Sequence, residues 1–213
     1  MVTGTLRDIL DAAARGAFPP PDGATTVVRQ HSHRDAGVIA FTAHSVVFTD
    51  EDPGWVRETL RRTDCDALAA AMNPRFLTAF MDRTGRSTDT VDLLMVGSAL
   101  PAAPELAPAE IDDPDHPRAV RARGYRDGVR VWTVDGGVLV LGHGVAGRLE
   151  AAVEVDEGAR HRGLGRALAL AARRLSGGEP VWAQLAAGNA RSVRAFQAAG
   201  YRPVGAEALL IAR

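Results

Sequence analysis

The chain has 213 residues, of which 46% are hydrophobic and 24% charged, a composition typical of a globular protein with one large domain or two small ones. The formal net charge of −1 combines two unlike parts: residues 1–115 hold 10 Arg against 18 acidic residues, and residues 116–213 hold 15 Arg against 8. Lysine is absent, which excludes a catalytic or Schiff-base lysine.

The basic second half favours a polyanionic ligand, either a nucleic acid or a phosphorylated cofactor. Attraction between the two oppositely charged halves is the alternative explanation. The single Cys65 has no partner for an internal disulfide, and the chain starts without a basic segment followed by an apolar one, so we expect a cytoplasmic protein. No uncharged apolar run approaches the ~20 residues of a membrane span, so we expect no membrane partner.

Residues 1–98 are predicted to form a mixed α/β domain. Thr5, Asp52 and Asn73 are the expected N-caps of its helices. The predicted elements are a helix over 5–16, strands over 25–30 and 38–48, helices over 52–64 and 73–85, and a strand over 90–96. The stretch 99–117 then holds five prolines, shows no helical or strand periodicity and is predicted to be a linker.

Residues 118–213 are predicted to have the order β-β-β-α-β-α-β. Asp135-Gly136-Gly137 indicates a hairpin between the first two strands. The elements are strands over 129–134, 138–145 and 148–155, a helix over 164–175, a strand over 180–186, a helix from 189 to Gly200, and a last strand over 208–212.

The sequence RHRGLG at 160–165 follows a strand and opens a helix. The first N–H groups of a helix have no internal partner, and glycine lets an anion approach them closely, so the loop is predicted to hold a phosphate or diphosphate. A P-loop is excluded because it needs a lysine. A dinucleotide fingerprint is disfavoured because Leu168 occupies its third glycine position. The pattern R-x-x-G-x-G is met by Arg160, Gly163 and Gly165.

This pattern, the preceding Val153-Glu154-Val155, and NARSVRAFQAAGYRPVG at 189–205 together resemble the GCN5-related N-acetyltransferases, over roughly residues 118–213. The resemblance implies a mixed α/β fold with a mixed sheet. The first half carries no such motif. It is either a decayed copy of the same fold, which we favour, or an enlarged set of the family's N-terminal elements.

The resemblance implies an enzyme that moves an acetyl group from acetyl-CoA to an amine of a small molecule or peptide, by direct attack in a ternary complex. It implies no metal, and a homodimer is common in the family. A catalytically weak CoA-binding regulatory module is the alternative. A nucleic-acid binder is a third reading that no motif supports, so we expect no nucleic-acid partner.

The residues that the resemblance assigns to the cofactor lie on the third strand, the glycine loop and the last helix. They are Val153, Glu154, Val155, Arg160, His161, Arg162, Gly163, Leu164, Gly165, Arg166, Asn189, Ser192 and Phe196. Val153 and Val155 would pair with the pantetheine arm. Phe196 stands where the family often has a tyrosine acid, so water or Ser192 is the expected proton donor.

Glu150, Glu154 and His143 are the candidate catalytic bases. Strand periodicity places both glutamates on one face, opposite Val153 and Val155, where partial burial would raise a carboxyl pKa into a useful range. A solvent-facing edge is the alternative for the glutamates, and a structural role is the alternative for His143. The H-S-H at 31–33 has no further ligands at metal spacing, so we expect no metal.

Overall fold

In the computed structural model the described residues are 4–101, 103 and 105–212. The chain divides into two compact units. The first takes in the chain up to Leu94 together with the segment from Val204 onward, and the second takes in Met95–Pro203.

The first unit combines four helices with a mixed sheet. Its strands are ordered β1-β3-β2-β11, with β1 and β3 parallel, the other pairs antiparallel, and β4 paired to β11. The elements are α1 (Leu6–Ala14), β1 (Thr25–Val28), β2 (Asp35–Phe41), β3 (His44–Phe48), α2 (Pro53–Arg62), α3 (Ala67–Ala70), α4 (Pro74–Thr84), β4 (Arg86–Ser87), β5 (Asp92–Gly97) and β11 (Arg202–Ala212). The last three residues of β5 and the first two of β11 are assigned to the second unit.

Local capping explains where these helices begin. Thr5 and Asp8 form a capping box at α1, and the side chains of Asp52 and Asn73 accept from main-chain N–H groups at the starts of α2 and α4. The three predicted N-caps are therefore confirmed. The core of this unit brings α2 and α4 against the sheet, with Phe76 and Phe80 fully buried.

The second unit is a mixed sheet with three helices. Its strand order is β10-β9-β8-β7-β6, in which β9 and β10 are parallel and the other pairs antiparallel. The elements are β6 (Ala109–Ile111), α5 (Pro117–Arg123), β7 (Asp127–Val134), β8 (Gly137–His143), β9 (Leu149–Val155), α6 (Leu164–Arg174), β10 (Val181–Ala186) and α7 (Ala190–Ala198).

The predicted β-β-β-α-β-α-β order and the mixed α/β class are confirmed. The prediction that 99–117 contains no strand is wrong, because Ala109–Ile111 pairs with β7. Two residues of that stretch, Ala102 and Pro104, lie outside the described residues. Helix α5, capped by His116, was not predicted. None of the described helices is both long and apolar enough to cross a membrane.

The predicted hairpin between β7 and β8 lets α6 lie close to the sheet. Gly136 has φ +74° at the turn, and a Cβ there would collide with the Cβ of Ala159. A Cβ at Gly137 would lie 2.8 Å from Cδ1 of Leu168 on α6. These two glycines therefore fix the approach of α6 and of the loop before it.

We expect Gly136→Ala to lower the free energy of unfolding by about 1–3 kcal/mol, because it combines a left-handed φ with a steric clash. Urea denaturation followed by circular dichroism measures this. Gly188→Ala is the matched control, since a Cβ at Gly188 meets nothing within 4 Å, and it should change the stability by less than ~0.5 kcal/mol. Equal stability of the two variants would contradict the packing role of Gly136.

Candidate functional site

The parallel strands β9 and β10 part soon after they begin. Among the described residues their ladder has two pairs, Leu149 with Val181 and Glu150 with Trp182. On its other side, β9 is paired with β8 along its full length, through Val155. The outer part of β9 therefore faces a gap in the sheet with main-chain groups that β10 does not use.

Helix α6 begins at this gap without a side-chain cap. Its N-cap is Gly163, with φ +82°, and no side chain there accepts a hydrogen bond from the first turn. Each of the other six described α-helices has a side chain that accepts such a bond. The first N–H groups of α6 are therefore free for an anion, and the helix dipole adds partial positive charge there.

Helix α7 brings its own N-terminus to the same place. The side chain of Asn189 accepts from the N–H of Ser192 at 3.1 Å, so the predicted cap is confirmed. A Cβ at Gly165 would lie 3.6 Å from Cγ2 of Val155 and 3.8 Å from Cβ of Ala195. Two helix starts and the outer part of β9 thus converge, with Gly165 between them.

A cavity of about 690 Å³ lies at this convergence. Of the thirteen residues predicted to bind a cofactor, the structure brings twelve together around it, and only Arg162 does not line it. The twelve are Val153, Glu154, Val155, Arg160, His161, Gly163, Leu164, Gly165, Arg166, Asn189, Ser192 and Phe196. The cavity is large enough for a ligand that extends along the glycine loop and the gap beside β9.

Sequence reasoning missed five further residues of the lining: Arg118, Ala159, Arg191, Arg194 and Ala195. Arg191 and Arg194 are three positions apart on α7, so they lie on one side of that helix. That spacing, directly after Asn189, was a signal available in the sequence. Arg118 comes from the unpredicted α5, and no local signal relates it to the loop.

The cavity is strongly electropositive. No ion pair with a carboxylate is formed, within the described residues, by Arg160, Arg166, Arg191 or Arg194. Arg162, which belongs to the glycine loop but does not line the cavity, has none either among these residues. Unneutralised guanidinium groups around a concave surface attract an anion and can hold phosphate oxygens in bidentate fashion.

Glu154 is the carboxylate of the lining, and it is engaged by α5. Nε of Arg118 donates to its Oε2, and this hydrogen bond, together with the charges of Arg118, Arg121 and Arg160, lowers the pKa of Glu154. The raised pKa expected from the sequence is therefore wrong here. Glu154 stays ionised at neutral pH, and its charge is met by Arg118.

Glu150 is placed differently from the sequence expectation. It is 2% exposed, does not line the cavity, and accepts from Nε of Arg148 at 2.8 Å and Nε of Arg126 at 2.9 Å. Burial alone would raise its pKa, but these two guanidinium charges outweigh burial and hold the pKa below its usual value. The expectation of a raised pKa is wrong for this residue too.

The sequence correctly predicted that Glu150 and Glu154 lie on one face of β9, but it did not predict what lies against that face. Ala152, between the two glutamates on one face of β9, packs against the core that includes Ala119 and Ala122 of α5. Val155 lies on the other face, beside Gly165 of α6. The acidic face of β9 is thus the α5 face, where arginines hold both carboxylates.

His143, the third candidate base, lies at the end of β8 and outside the cavity lining. Its Nε2 lies 3.2 Å from Oε1 of Glu179. Phe196 does line the cavity, and its ring makes an edge-to-face contact with Tyr201 at a centroid distance of 4.8 Å. The Tyr201 hydroxyl is buried and donates to the carbonyl of Ala169, so it is used in packing.

Over the part of the chain that the structure describes, no group of three or more His, Cys, Asp or Glu side chains is arranged to hold a metal ion.

We expect Glu150→Gln to destabilise the fold by about 3–5 kcal/mol at pH 7, because it leaves two buried guanidinium groups without their carboxylate. The pKa of Glu150 is lower in the folded state than its ordinary value of 4.5, so its stabilisation is complete above that pH and is lost as the pH falls below it. The deficit of the variant relative to the unsubstituted protein should therefore shrink from pH 7 to pH 4 in urea denaturation.

Glu110→Gln is the control for this measurement, since Glu110 pairs with Arg130 at the surface of the same unit. We expect it to cost at most ~1 kcal/mol. A Glu150→Gln variant as stable as this control would contradict the structural role of the buried pair.

Comparison with known proteins finds that this chain is similar in structure to several solved proteins. No family model and no curated protein matches the chain. A GCN5-related N-acetyltransferase from Kribbella flavida is 19% identical, over 99% of this chain and 96% of that one, with a TM-score of 0.45.

Two further solved structures are similar over shorter parts. A GCN5-related N-acetyltransferase from Sphaerobacter thermophilus is 17% identical over 63% of this chain, with a TM-score of 0.37, and the match spans only 55% of that protein. An acetyltransferase of the GNAT family from Novosphingobium aromaticivorans is 20% identical over 59% of this chain and 67% of that one, with a TM-score of 0.38.

Proposed function

We propose that this protein is a GCN5-related N-acetyltransferase that moves an acetyl group from acetyl-CoA to an amine of a small molecule or peptide. The observation that carries the proposal is one cavity that joins the uncapped start of α6 to the outer part of β9, on the side that β10 leaves open. The free N–H groups at the start of α6 can bind a diphosphate, and the open side of β9 can pair with an extended chain of amides. Coenzyme A carries both groups in one molecule.

The binding roles follow from the position of each group. The N–H groups at the start of α6, with Arg160 and Arg166, would hold the diphosphate. The main-chain groups of Val153 and the N–H of Val155, which β10 does not use, would pair with the pantetheine amides, as an added strand pairs with an open edge. The carbonyl of Val155 already accepts from Nε of Arg160 at 3.3 Å. Gly165 fits this arrangement, because a side chain there would project between β9 and α7.

Bound acetyl-CoA would supply an activated acetyl thioester. In direct transfer, the amine nitrogen bonds to the acetyl carbon, the C–S bond breaks, the amine loses a proton and the sulfur gains one. The protein contributes by holding both reactants together and by donating hydrogen bonds from β9 to the carbonyl oxygen. Ser192, a residue of the cavity lining, is the residue we assign to pass a proton from solvent water to the sulfur, so that its own hydroxyl is restored in the same step.

The identity of the base is constrained by the charges around the glutamates. The lowered pKa of Glu154 makes its carboxylate a weak proton acceptor, and its charge is already met by Arg118, so we propose that Glu154 does not act as the base. The amine would then lose its proton to water. We expect the rate to rise with pH as the acceptor deprotonates.

A second function has one observation in its favour. Phe196 lines the cavity where a proton-donating tyrosine would suit catalysis, and a phenyl ring donates no proton. A CoA-binding regulatory module with little turnover would need no such donor. Release of free thiol from acetyl-CoA, screened against amines, amino acids and peptides, decides between them, since only the enzyme releases thiol in an acceptor-dependent way.

We expect the double variant Arg160→Ala/Arg166→Ala to bind CoA at least about tenfold more weakly by isothermal titration calorimetry, since charge-assisted hydrogen bonds to phosphate are lost. Arg57→Ala/Arg75→Ala removes the same charge from exposed positions on α2 and α4 and is the matched control. An unchanged dissociation constant in the first variant would refute the diphosphate assignment.

We expect Ser192→Ala to lower kcat by about 10²-fold, the usual scale for a positioned proton donor, with the dissociation constant for CoA within twofold of the unsubstituted protein. Adding Phe196→Tyr to this variant should restore part of kcat, because it returns a hydroxyl to the cavity wall. A Ser192→Ala enzyme with full kcat would show that solvent supplies the proton.

A further inference from the structure

We propose that Arg191 and Arg194 form a second phosphate subsite, which binds a phosphomonoester on the nucleotide part of the ligand and lets the cavity distinguish CoA from its dephospho form. This inference rests on the proposed function, because it concerns the ligand of the same cavity. It goes beyond it by assigning a specificity to two residues that the sequence motif did not include.

The position of the two side chains supports a separate subsite. Arg160 and Arg166 come from the glycine loop and α6, whereas Arg191 and Arg194 come from the first half of α7. Both α7 arginines line the cavity and are exposed. Their spacing of three residues lets two guanidinium groups approach one anion from the same side of the helix.

The charges of the cavity supply the second argument. Arg118 already neutralises Glu154, the carboxylate of the lining, so the remaining arginines are available to a ligand. A diphosphate that links two groups carries one negative charge on each phosphate. The N-terminus of α6 with Arg160 and Arg166 is sufficient to match it.

The guanidinium groups of Arg191 and Arg194 on α7 then have no phosphate assigned to them. A phosphomonoester carries about −1.5 to −2 charge at pH 7, which corresponds to two guanidinium groups. The N-terminus of α7, which opens onto the same cavity, adds to the positive potential there. The ligand chemistry that fits the whole lining is therefore a nucleotide with a diphosphate and a separate phosphomonoester. Coenzyme A has this combination in its 3′-phosphate.

The experiment compares CoA with dephospho-CoA by isothermal titration calorimetry. We use the full chain, the double variant Arg191→Ala/Arg194→Ala, and Arg57→Ala/Arg75→Ala as the control of equal charge. Because the α7 side chains are exposed, the double variant should fold, and its thermal unfolding midpoint is measured alongside.

We expect the unsubstituted protein to bind CoA at least about tenfold more tightly than dephospho-CoA. In the α7 variant this preference should fall to within about twofold, through weaker binding of CoA alone. Arg191→Lys/Arg194→Lys should keep part of the preference, because lysine retains the charge without the bidentate geometry. The control variant should retain the full preference.

Two results would overturn the subsite. One is equal affinity of the unsubstituted protein for both ligands, and the other is an α7 variant that weakens both ligands by the same factor, which would place its arginines on the diphosphate. Failure of the proposed function gives a different result, since the unsubstituted protein would then bind neither ligand.

Discussion

The candidate site depends on main-chain N–H groups that the protein leaves unpaired at the start of α6. Buried or partly buried helix ends are normally satisfied by a side chain, and the other described α-helices follow that rule. At α6 the chain places Gly163 in a left-handed conformation instead. These exposed donors are open to water or to a ligand, and the arginines around them favour a ligand with negative charge.

The rest of the second unit can be understood as support for that helix start. The hairpin at Gly136 and Gly137 lets α6 pack closely on β8, which fixes where the helix begins. The buried pairing of Glu150 with Arg126 and Arg148 lies at the last residue pair that joins β9 to β10. Nε2 of Gln184 on β10 also donates to Oε1 of Glu150, at 3.4 Å, so this carboxylate links the two strands next to the point at which they part.

Local signals in the sequence predicted much of this structure. The Asn189 cap, the Asp135-Gly136-Gly137 turn and the glycines of the loop act within a few residues of chain, so their spacing is sufficient to find them. Tertiary contacts were missed. Arg118 reaches the site only because α5 packs on β7 and β8 next to β9, and β6 is too short to show a period.

The glutamates show where a correct local pattern gave a wrong electrostatic conclusion. Alternation placed both on one face of β9, but the sign of each pKa shift depends on arginines supplied by other segments. For Glu150 a signal was present: Arg148, two residues earlier, shares its strand face. The partner Arg126 lies 24 residues away, at a separation that strand periodicity does not reach.

An NMR titration of the ¹⁵N-labelled protein with CoA tests the central claim most directly, because it observes the main-chain N–H groups themselves. We predict that the amides of Gly163, Leu164, Gly165 and Arg166 shift most, and that they shift far less with pantetheine, which lacks the diphosphate. CoA binding that leaves these four resonances in place, or no binding at all, would contradict the claim that the start of α6 holds a diphosphate.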